Sequence, residues 1–275
     1  MLTIASINSG SNGNCYYVGN EREAVLIDAG ISCREILTRM KDGGLETSKL
    51  RAIFVSHEHS DHIRGVEVLS KKLDLPVFVT RPTYDSGKFP VPVQNLRIIC
   101  EDEVIQIGDL TVTAFSKRHD AVDPLSFTVE QNDTVIGVLT DIGSACERVN
   151  YHFQRCTAAF LEANYDEYML KSGAYPQYLK SRISGSHGHL SNAQALQLFL
   201  EYSGESLSHL VLAHLSAENN SPELVYDLFK RHSGGTHVEV ASRYGFSAKY
   251  EIVHGSIRRE KPVRPASIKQ LSLFD

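Results

Sequence analysis

Directly after a short apolar run, residues 52–56, the chain places four potential metal ligands within six residues: His57, His59, Asp61 and His62. Imidazoles and carboxylates crowded this closely waste solvation unless something binds them. A loop leaving the end of a buried strand can satisfy them by aiming His57 and His59 at one ion and Asp61 and His62 at a neighbouring one. Imidazole nitrogen and carboxylate oxygen suit zinc, manganese or iron. A polar surface loop that merely happens to be rich in histidine leaves this spacing unexplained.

The rest of the chain reads as α/β. Short runs rich in Val, Ile and Phe are expected to form strands at 2–7, 24–28, 52–56, 77–80, 110–115, 126–130, 134–140, 158–162, 209–213 and 237–241. Ser32-Cys33-Arg34-Glu35 and Ser191-Asn192-Ala193-Gln194 read as capping boxes, and Ser221-Pro222 puts proline at a first helical position. Strands dominate the front half with hairpin-like spacing, and strand alternates with helix in the back half. Two packed sheets with helices outside fit that order.

At 275 residues the chain suffices for one large domain or two small ones. No run approaches the roughly 18 apolar residues that span a bilayer. The five cysteines are scattered, odd in number and without a CxxC pair, which disfavours a disulfide framework or a Cys-rich zinc site. Residues 1–6 lack the basic and apolar segments of a secretory signal, so the expected place is the cytoplasm. A net charge of −5 does not advertise nucleic-acid binding, although it leaves room for a local basic patch.

A His-x-His-x-Asp-His motif after a strand is the signature of the metallo-β-lactamase superfamily, which the chain resembles over roughly residues 2–253. The resemblance implies an αββα four-layer sandwich in one catalytic domain, 1–254, and two divalent metal ions, zinc or manganese, with iron also admissible. It also implies where the remaining ligands stand. His119 follows a strand in Ser116-Lys117-Arg118-His119-Asp120-Ala121, Asp141 ends one in Val138-Leu139-Thr140-Asp141-Ile142-Gly143, and His214 ends another in Leu210-Val211-Leu212-Ala213-His214-Leu215. By this resemblance His57, His59 and His119 hold one metal, Asp61, His62 and His214 the other, and Asp141 bridges them. His152, His209, His232, His237 and His254 lack such support and are read as structural or solvated. Oxidoreductases of this fold usually replace a metal-site histidine with a carboxylate; His59 is intact, which favours hydrolysis.

Such a centre serves phosphodiesters, lactams, lactones and thioesters equally well, so substrate must be read elsewhere. In the tRNA 3′-processing branch of the superfamily, a glutamate in Glu-Ala-Thr pairs with a histidine in His-Ser/Thr-x-x-Glu/Gln-Ala. Glu162 in Leu161-Glu162-Ala163-Asn164 and His189 in His189-Leu190-Ser191-Asn192-Ala193-Gln194-Ala195 are similar in order and local pattern, with the His-to-Ser spacing only partly shared. Such a couple can protonate a leaving alkoxide or stabilise phosphorane charge, and the helix N-terminus at Ser191 can attract a phosphate. His187 competes for the same role.

Several segments together resemble the bacterial YycJ/WalJ family: Ser9-Gly10-Ser11-Asn12-Gly13-Asn14-Cys15, His119-Asp120-Ala121 with Pro124, Glu162-Ala163-Asn164-Tyr165-Asp166 with Met169-Leu170, Gly188-His189-Leu190-Ser191-Asn192, and His214-Leu215-Ser216 with Asn219-Asn220. That family is associated with 5′-to-3′ DNA exonuclease activity. The resemblance implies a DNA substrate, a role in repair or replication, and Asp61, Glu162 and His189 as catalytic residues. The family usually has a histidine where this chain has Tyr165; if that histidine contacts substrate, strand preference or rate changes with it. The glycine-rich loop is either a tight turn or a wall of the metal pocket. Two other readings stay open: an RNA or small-phosphodiester hydrolase of the same fold, and a non-catalytic, clamp-associated protein with structural metals.

From Gly255 to Lys269 the chain carries Arg258, Arg259, Lys261, Arg264 and Lys269 against Glu260, with Pro262 and Pro265, a composition expected to be extended and flexible. It ends in Gln270-Leu271-Ser272-Leu273-Phe274-Asp275. Gln-Leu-Ser/Asp-Leu-Phe resembles the peptide by which bacterial polymerases and repair proteins dock on the sliding clamp. The resemblance implies that Leu271, Leu273 and Phe274 enter apolar pockets while Gln270 makes a polar contact. Ordering such a tail limits affinity, which simultaneous DNA binding would raise, and the basic tether could itself track phosphates.

Overall fold

The computed structural model describes residues 1–88 and 90–253; His254, the basic tail and its docking-like residues Gln270, Leu271, Leu273 and Phe274 lie outside them. Six strands come first: β1 (Leu2–Asn8), β2 (Cys15–Gly19), β3 (Ala24–Ile27), β4 (Leu50–Phe54), β5 (Val77–Thr80) and β6 (Leu96–Ile99). Then follow β7 (Val104–Ile107), β8 (Leu110–Ser116), β9 (Leu125–Gln131), β10 (Thr134–Leu139), β11 (Ala158–Glu162), β12 (His209–Ala213) and β13 (His237–Val240). The last, β14 (Ser247–Ile252), returns to pair antiparallel with β1. Two mixed seven-stranded sheets result, ordered β14-β1-β2-β3-β4-β5-β6 and β13-β12-β11-β10-β9-β8-β7.

The period of two along a strand sorts its residues between two cores. In β11, Ala158 and Phe160 join the layer shared by both sheets, while Ala159 and Leu161 join the layer under the helices. Strand β3 sorts likewise, Val25 and Ile27 inward, Ala24 and Leu26 outward. Burial on both faces is why these strands read as unbroken apolar runs. Aromatic rings bridge the inner layer, Tyr16 with Phe160 at 4.8 Å and Phe54 with Phe127 at 5.5 Å between centroids.

Helices cover the outer faces, giving the expected α/β sandwich. The helix Cys33–Asp42 starts on the Ser32–Glu35 capping box and buries Ile36 and Met40. The helix Asn192–Tyr202 starts on the Ser191–Gln194 box and buries Leu196 and Phe199. In Pro222–Lys230, capped by Ser221, Val225, Leu228 and Phe229 turn inward.

Four strands escape the sequence reading: β2, β6, β7 and β14. Three of these lie at sheet edges, where Arg97, Ile98, Val104, Gln106 and Lys249 are exposed, so no continuous apolar run marks them. The expected strands at 24–28, 52–56 and 134–140 also stop short, at Ile27, Phe54 and Leu139. Asp28 (φ 61°) and Asp141 (φ 56°) turn the backbone out of the sheet, as does His214 (φ 56°) after β12. Left-handed backbone at residues other than glycine is costly, and it concentrates where a side chain must be aimed. All five cysteines are unpaired. No helix among the described residues is long and apolar enough to cross a membrane.

Candidate metal centre

The seven residues expected to bind metal follow β4, β8, β10 and β12, with Asp61 and His62 in a short helix, Ser60–Ile63, and the fold brings them together. Backbone bonds pin the central loop: Ala29 N to His62 O at 2.9 Å, Asn14 N to Asp61 O at 2.7 Å and Gly65 N to Ala29 O at 2.7 Å. A Cβ on Gly30 would fall 1.7 Å from Asp61 O, so only glycine lets the neighbouring turn approach this closely.

His57, His59 and His119 form one group. Their ring centroids lie 4.5, 4.9 and 5.1 Å apart, and His57 Nε2 is 3.0 Å from His59 Nδ1. His119 Nδ1 donates to Gly188 O at 3.0 Å, which turns its Nε2 inward. Asp61, His62 and His214 form a second group, with Asp61 Oδ2 3.5 Å from each imidazole Nε2. Between them stands Asp141: Oδ2 is 3.2 Å from His62 Nε2, and Oδ1 is 3.4 Å from His214 Nε2 and 3.8 Å from His119 Nε2.

The outer nitrogens of the second group are held by carboxylates. His62 Nδ1 meets Asp28 Oδ2 at 2.7 Å, and Asp28 in turn accepts from Ser56 N and Ser56 Oγ, both at 2.8 Å. His214 Nδ1 meets Glu162 Oε1 at 3.0 Å. His119 Nε2, His214 Nε2 and Asp141 Oδ2 are buried with only such ion-pair approaches and no well-directed hydrogen bond. Buried polar atoms are rarely left so. Orphaned nitrogens and a carboxylate facing one another, each imidazole oriented from behind, are the donor set of divalent metal ions.

Electrostatics divide the histidines. Burial holds His57 well below the usual imidazole value and pushes His119 down to about 4. Burial also acts downward on His62 and His214, but there carboxylates outweigh it. Asp141, Asp28 and Asp61 raise His62 well above its usual value, and Asp141, Asp61 and Glu162 lift His214 to about 10. Burial would raise Asp141, yet the charges of His214 and His62 hold it well below the carboxylate range. In the metal-free protein at neutral pH, protons on His62 and His214 therefore take the place of cationic charge, whereas His57 and His119 are already neutral. Loading zinc or manganese is expected to release protons from His62 and His214, so affinity weakens from pH 8 to pH 6. Calorimetric titrations in buffers of different ionisation enthalpy measure the release, and uptake without proton release would contradict this balance.

Next to these candidate ligands, Glu162 is fully buried with every acceptor position used. Oε1 accepts from His189 Nδ1 at 2.8 Å and from His214 Nδ1; Oε2 accepts from Ile142 N at 2.8 Å and Leu190 N at 3.1 Å. Burial would raise its carboxyl, but His189 and His214 hold it down at about 2. His189 lines a cleft of about 230 Å³ together with His59, Asp61, Asp141 and His214.

Against this geometry, the match of residues 23–215 to the family profile of the beta-lactamase superfamily domain is decisive. The chain belongs to the metallo-β-lactamase superfamily. It is 34% identical to the exodeoxyribonuclease YycJ of Bacillus anthracis over 226 residues, which cover 81% of this chain and 86% of that protein. It is 32% identical to the exodeoxyribonuclease WalJ of Streptococcus pneumoniae over 223 residues, 79% and 83% of the two chains. The fold is similar to the crystal structure of the metallo-beta-lactamase fold protein YhfI from Bacillus subtilis, with a TM-score of 0.69 at 16% identity, covering 90% of this chain and 100% of that one. Within the superfamily this is a YycJ/WalJ-like, metal-dependent hydrolase.

In this metallo-β-lactamase-fold enzyme the glycine-rich loop is both a turn and a wall. Ser11 lines the cleft, Asn14 Nδ2 donates to Asp61 Oδ2 at 3.2 Å, and Ser9 Oγ accepts from His214 N at 2.8 Å. Tyr165 is buried, bridges to Ser191 and does not line the cleft. His187 is exposed, with Nδ1 3.2 Å from Ser186 Oγ. His152 stacks on Phe115 at 3.9 Å, and His209 and His237 pack on Tyr250, outside the centre. The sequence reading assigns no role to Asp28 and Lys117, and Asn14 and Asn164 stand there only within motifs, without a role of their own. Asp28 shares with Asp141 the one available signal, an aspartate closing an apolar run. Asn164 Nδ2 donates to His214 O at 2.8 Å. Lys117 is buried with Nζ donating to Thr140 O at 2.7 Å, and burial lowers its ammonium.

Proposed function

We propose that this hydrolase is a DNA exonuclease that shortens a strand from its 5′ end during replication or repair, with residues 1–254 as its catalytic domain. The observation that carries the reading is the His189–Glu162 pair, which opens onto the same cleft as the ligands. Two divalent ions held by His57, His59 and His119, by Asp61, His62 and His214, and by Asp141 between them would acidify water and polarise phosphoryl oxygens. Asp28 and Glu162 fix the Nδ1 protons of His62 and His214, so both present Nε2 to the centre. Glu162 orients His189 in the same way, leaving Nε2 to hold a proton for the leaving oxygen or to bond a charged phosphoryl oxygen. A donor so placed serves an alkoxide leaving group, as phosphodiester cleavage requires. Two relatives with more than 30% identity carry the name exodeoxyribonuclease, which favours DNA.

Recruitment to a sliding clamp through Gln270, Leu271, Leu273 and Phe274 is part of this proposal on sequence alone. One assay tests the whole reading: duplex DNA labelled at the 5′ or 3′ end, single-stranded DNA and RNA, with manganese or zinc, with and without clamp. Stepwise release from the 5′ end of DNA is expected, faster with clamp on long duplexes. Equal cleavage of RNA, or hydrolysis of small diesters only, would favour the alternative hydrolase instead. Indifference to the clamp would remove the docking role.

A further inference from the structure

Between Glu162 and His189 the chain makes an excursion that carries the helix Gln177–Ile183. Tyr175, just ahead of it, lines the catalytic cleft with Leu179, Arg182 and Ile183. Within the helix, Leu179, Arg182 and Ile183 are spaced i, i+3 and i+4, as on one helical face, and Tyr175 precedes the N-cap Pro176. The residues that flank this face turn away from the cleft: Tyr178 is 76% exposed, and Lys180 Nζ donates to Lys171 O at 2.7 Å. This wall is tied to the metal-binding residues. Gly188 at its end accepts from His119, His189 N bonds Ile183 O at 2.9 Å, and a Cβ on Gly143 would fall 2.4 Å from Ser186 O.

The wall thus sets an aromatic ring, two aliphatic side chains and a guanidinium around a cleft shared with Asp141, His189 and His214. Arg182 Nε is held by Asp120 Oδ2 at 2.5 Å, while its Nη atoms bond no protein group among the described residues. An aromatic face is what an unpaired base stacks on, and guanidinium is the side chain best matched to a phosphate.

We propose that this wall is the subsite for the terminal nucleotide of a single strand: Tyr175 stacks on the base, Leu179 and Ile183 pack beside it, and Arg182 binds the terminal phosphate. The proposal rests on the nuclease reading above and names how that site takes hold of a strand end.

The test uses the full chain loaded with manganese and the variants Tyr175→Ala, Tyr175→Phe, Arg182→Ala and Arg182→Lys. Substrates are single-stranded DNA with a 5′-phosphate or a 5′-hydroxyl, and methyl p-nitrophenyl phosphate, which has no base. Tyr175→Ala is expected to raise KM for both DNAs by about tenfold or more, with Tyr175→Phe restoring it. Arg182→Ala should raise KM about tenfold for the phosphorylated strand alone, with Arg182→Lys intermediate. The ratio of kcat/KM on DNA to that on the small diester then falls, which damage to fold or metal content would not cause. Unchanged KM for DNA, or an equal loss on all three substrates, overturns the subsite. If the unaltered chain cleaves the small diester but releases no nucleotide from any strand, the nuclease reading itself fails, and the subsite with it.

Discussion

Replacing Asp141 by asparagine is expected to slow phosphodiester hydrolysis by about 10³-fold or more, because several kcal/mol of charge stabilisation depend on a filled centre. Asp141 is the only residue whose carboxylate oxygens lie within 4 Å of His62, His119, His189 and His214 together among the described residues. Asparagine keeps the shape and the left-handed turn, which it tolerates well, but removes the charge that offsets metal ions or imidazolium. Metal per chain, measured by mass spectrometry of the folded protein, should fall alongside the rate, while circular dichroism stays that of the parent. A variant with a full complement of metal and full activity would remove Asp141 from the centre.

Glu162→Gln is the second substitution expected to act strongly, lowering kcat by about 10²–10⁴-fold and metal affinity by about 10–100-fold. Four donors converge on this carboxylate, and an amide can accept from only one side. If its NH₂ faces Ile142 N and Leu190 N, donors oppose donors in a buried site. If it faces the histidines, their Nδ1 atoms must accept, and the protons move to Nε2, where His214 can no longer serve a metal. His189→Ala separates the two consequences, since it should lose rate and retain metal. Acid unfolding provides a further check. His189 and His214 hold Glu162 at about 2 against an ordinary 4.5, so its pairing adds stability above pH 4.5 that is lost as pH falls toward 2. In the metal-free glutamine variant, that part of the acid transition should be missing. An unshifted transition together with unchanged metal affinity would contradict the shared-partner role.

Much of the architecture was legible because its signals are local. Ser32–Glu35 and Ser191–Gln194 announce helix starts within four residues, and both form the expected boxes. Interior strands other than β2, which is short and fully buried yet escaped the reading, advertise themselves as apolar runs because both faces are covered. The edge strands β6, β7 and β14 carry half of that pattern and were illegible for the same reason. Lys117 carries no local signal of its role: only the fold sets the turn after β8 beside the end of β10, where its buried ammonium donates to Thr140 O.

For the centre, the chain alone pointed to His57, His59, Asp61 and His62, since one strand end and the short helix after it keep four donors within six residues. Their order along the chain, with the family resemblance, also pointed to His119, Asp141, His214, Glu162 and His189. What only the tertiary structure decided is who holds whom. Beyond the Glu162–His189 pair that the resemblance implied, Glu162 also serves His214 across 52 residues, Asp28 serves His62 across 34, and the Tyr175–Ile183 segment lies along the same cleft. Those partnerships depend on which strand ends lie side by side. Sheet order sets that, and no periodicity within a single strand or helix records it.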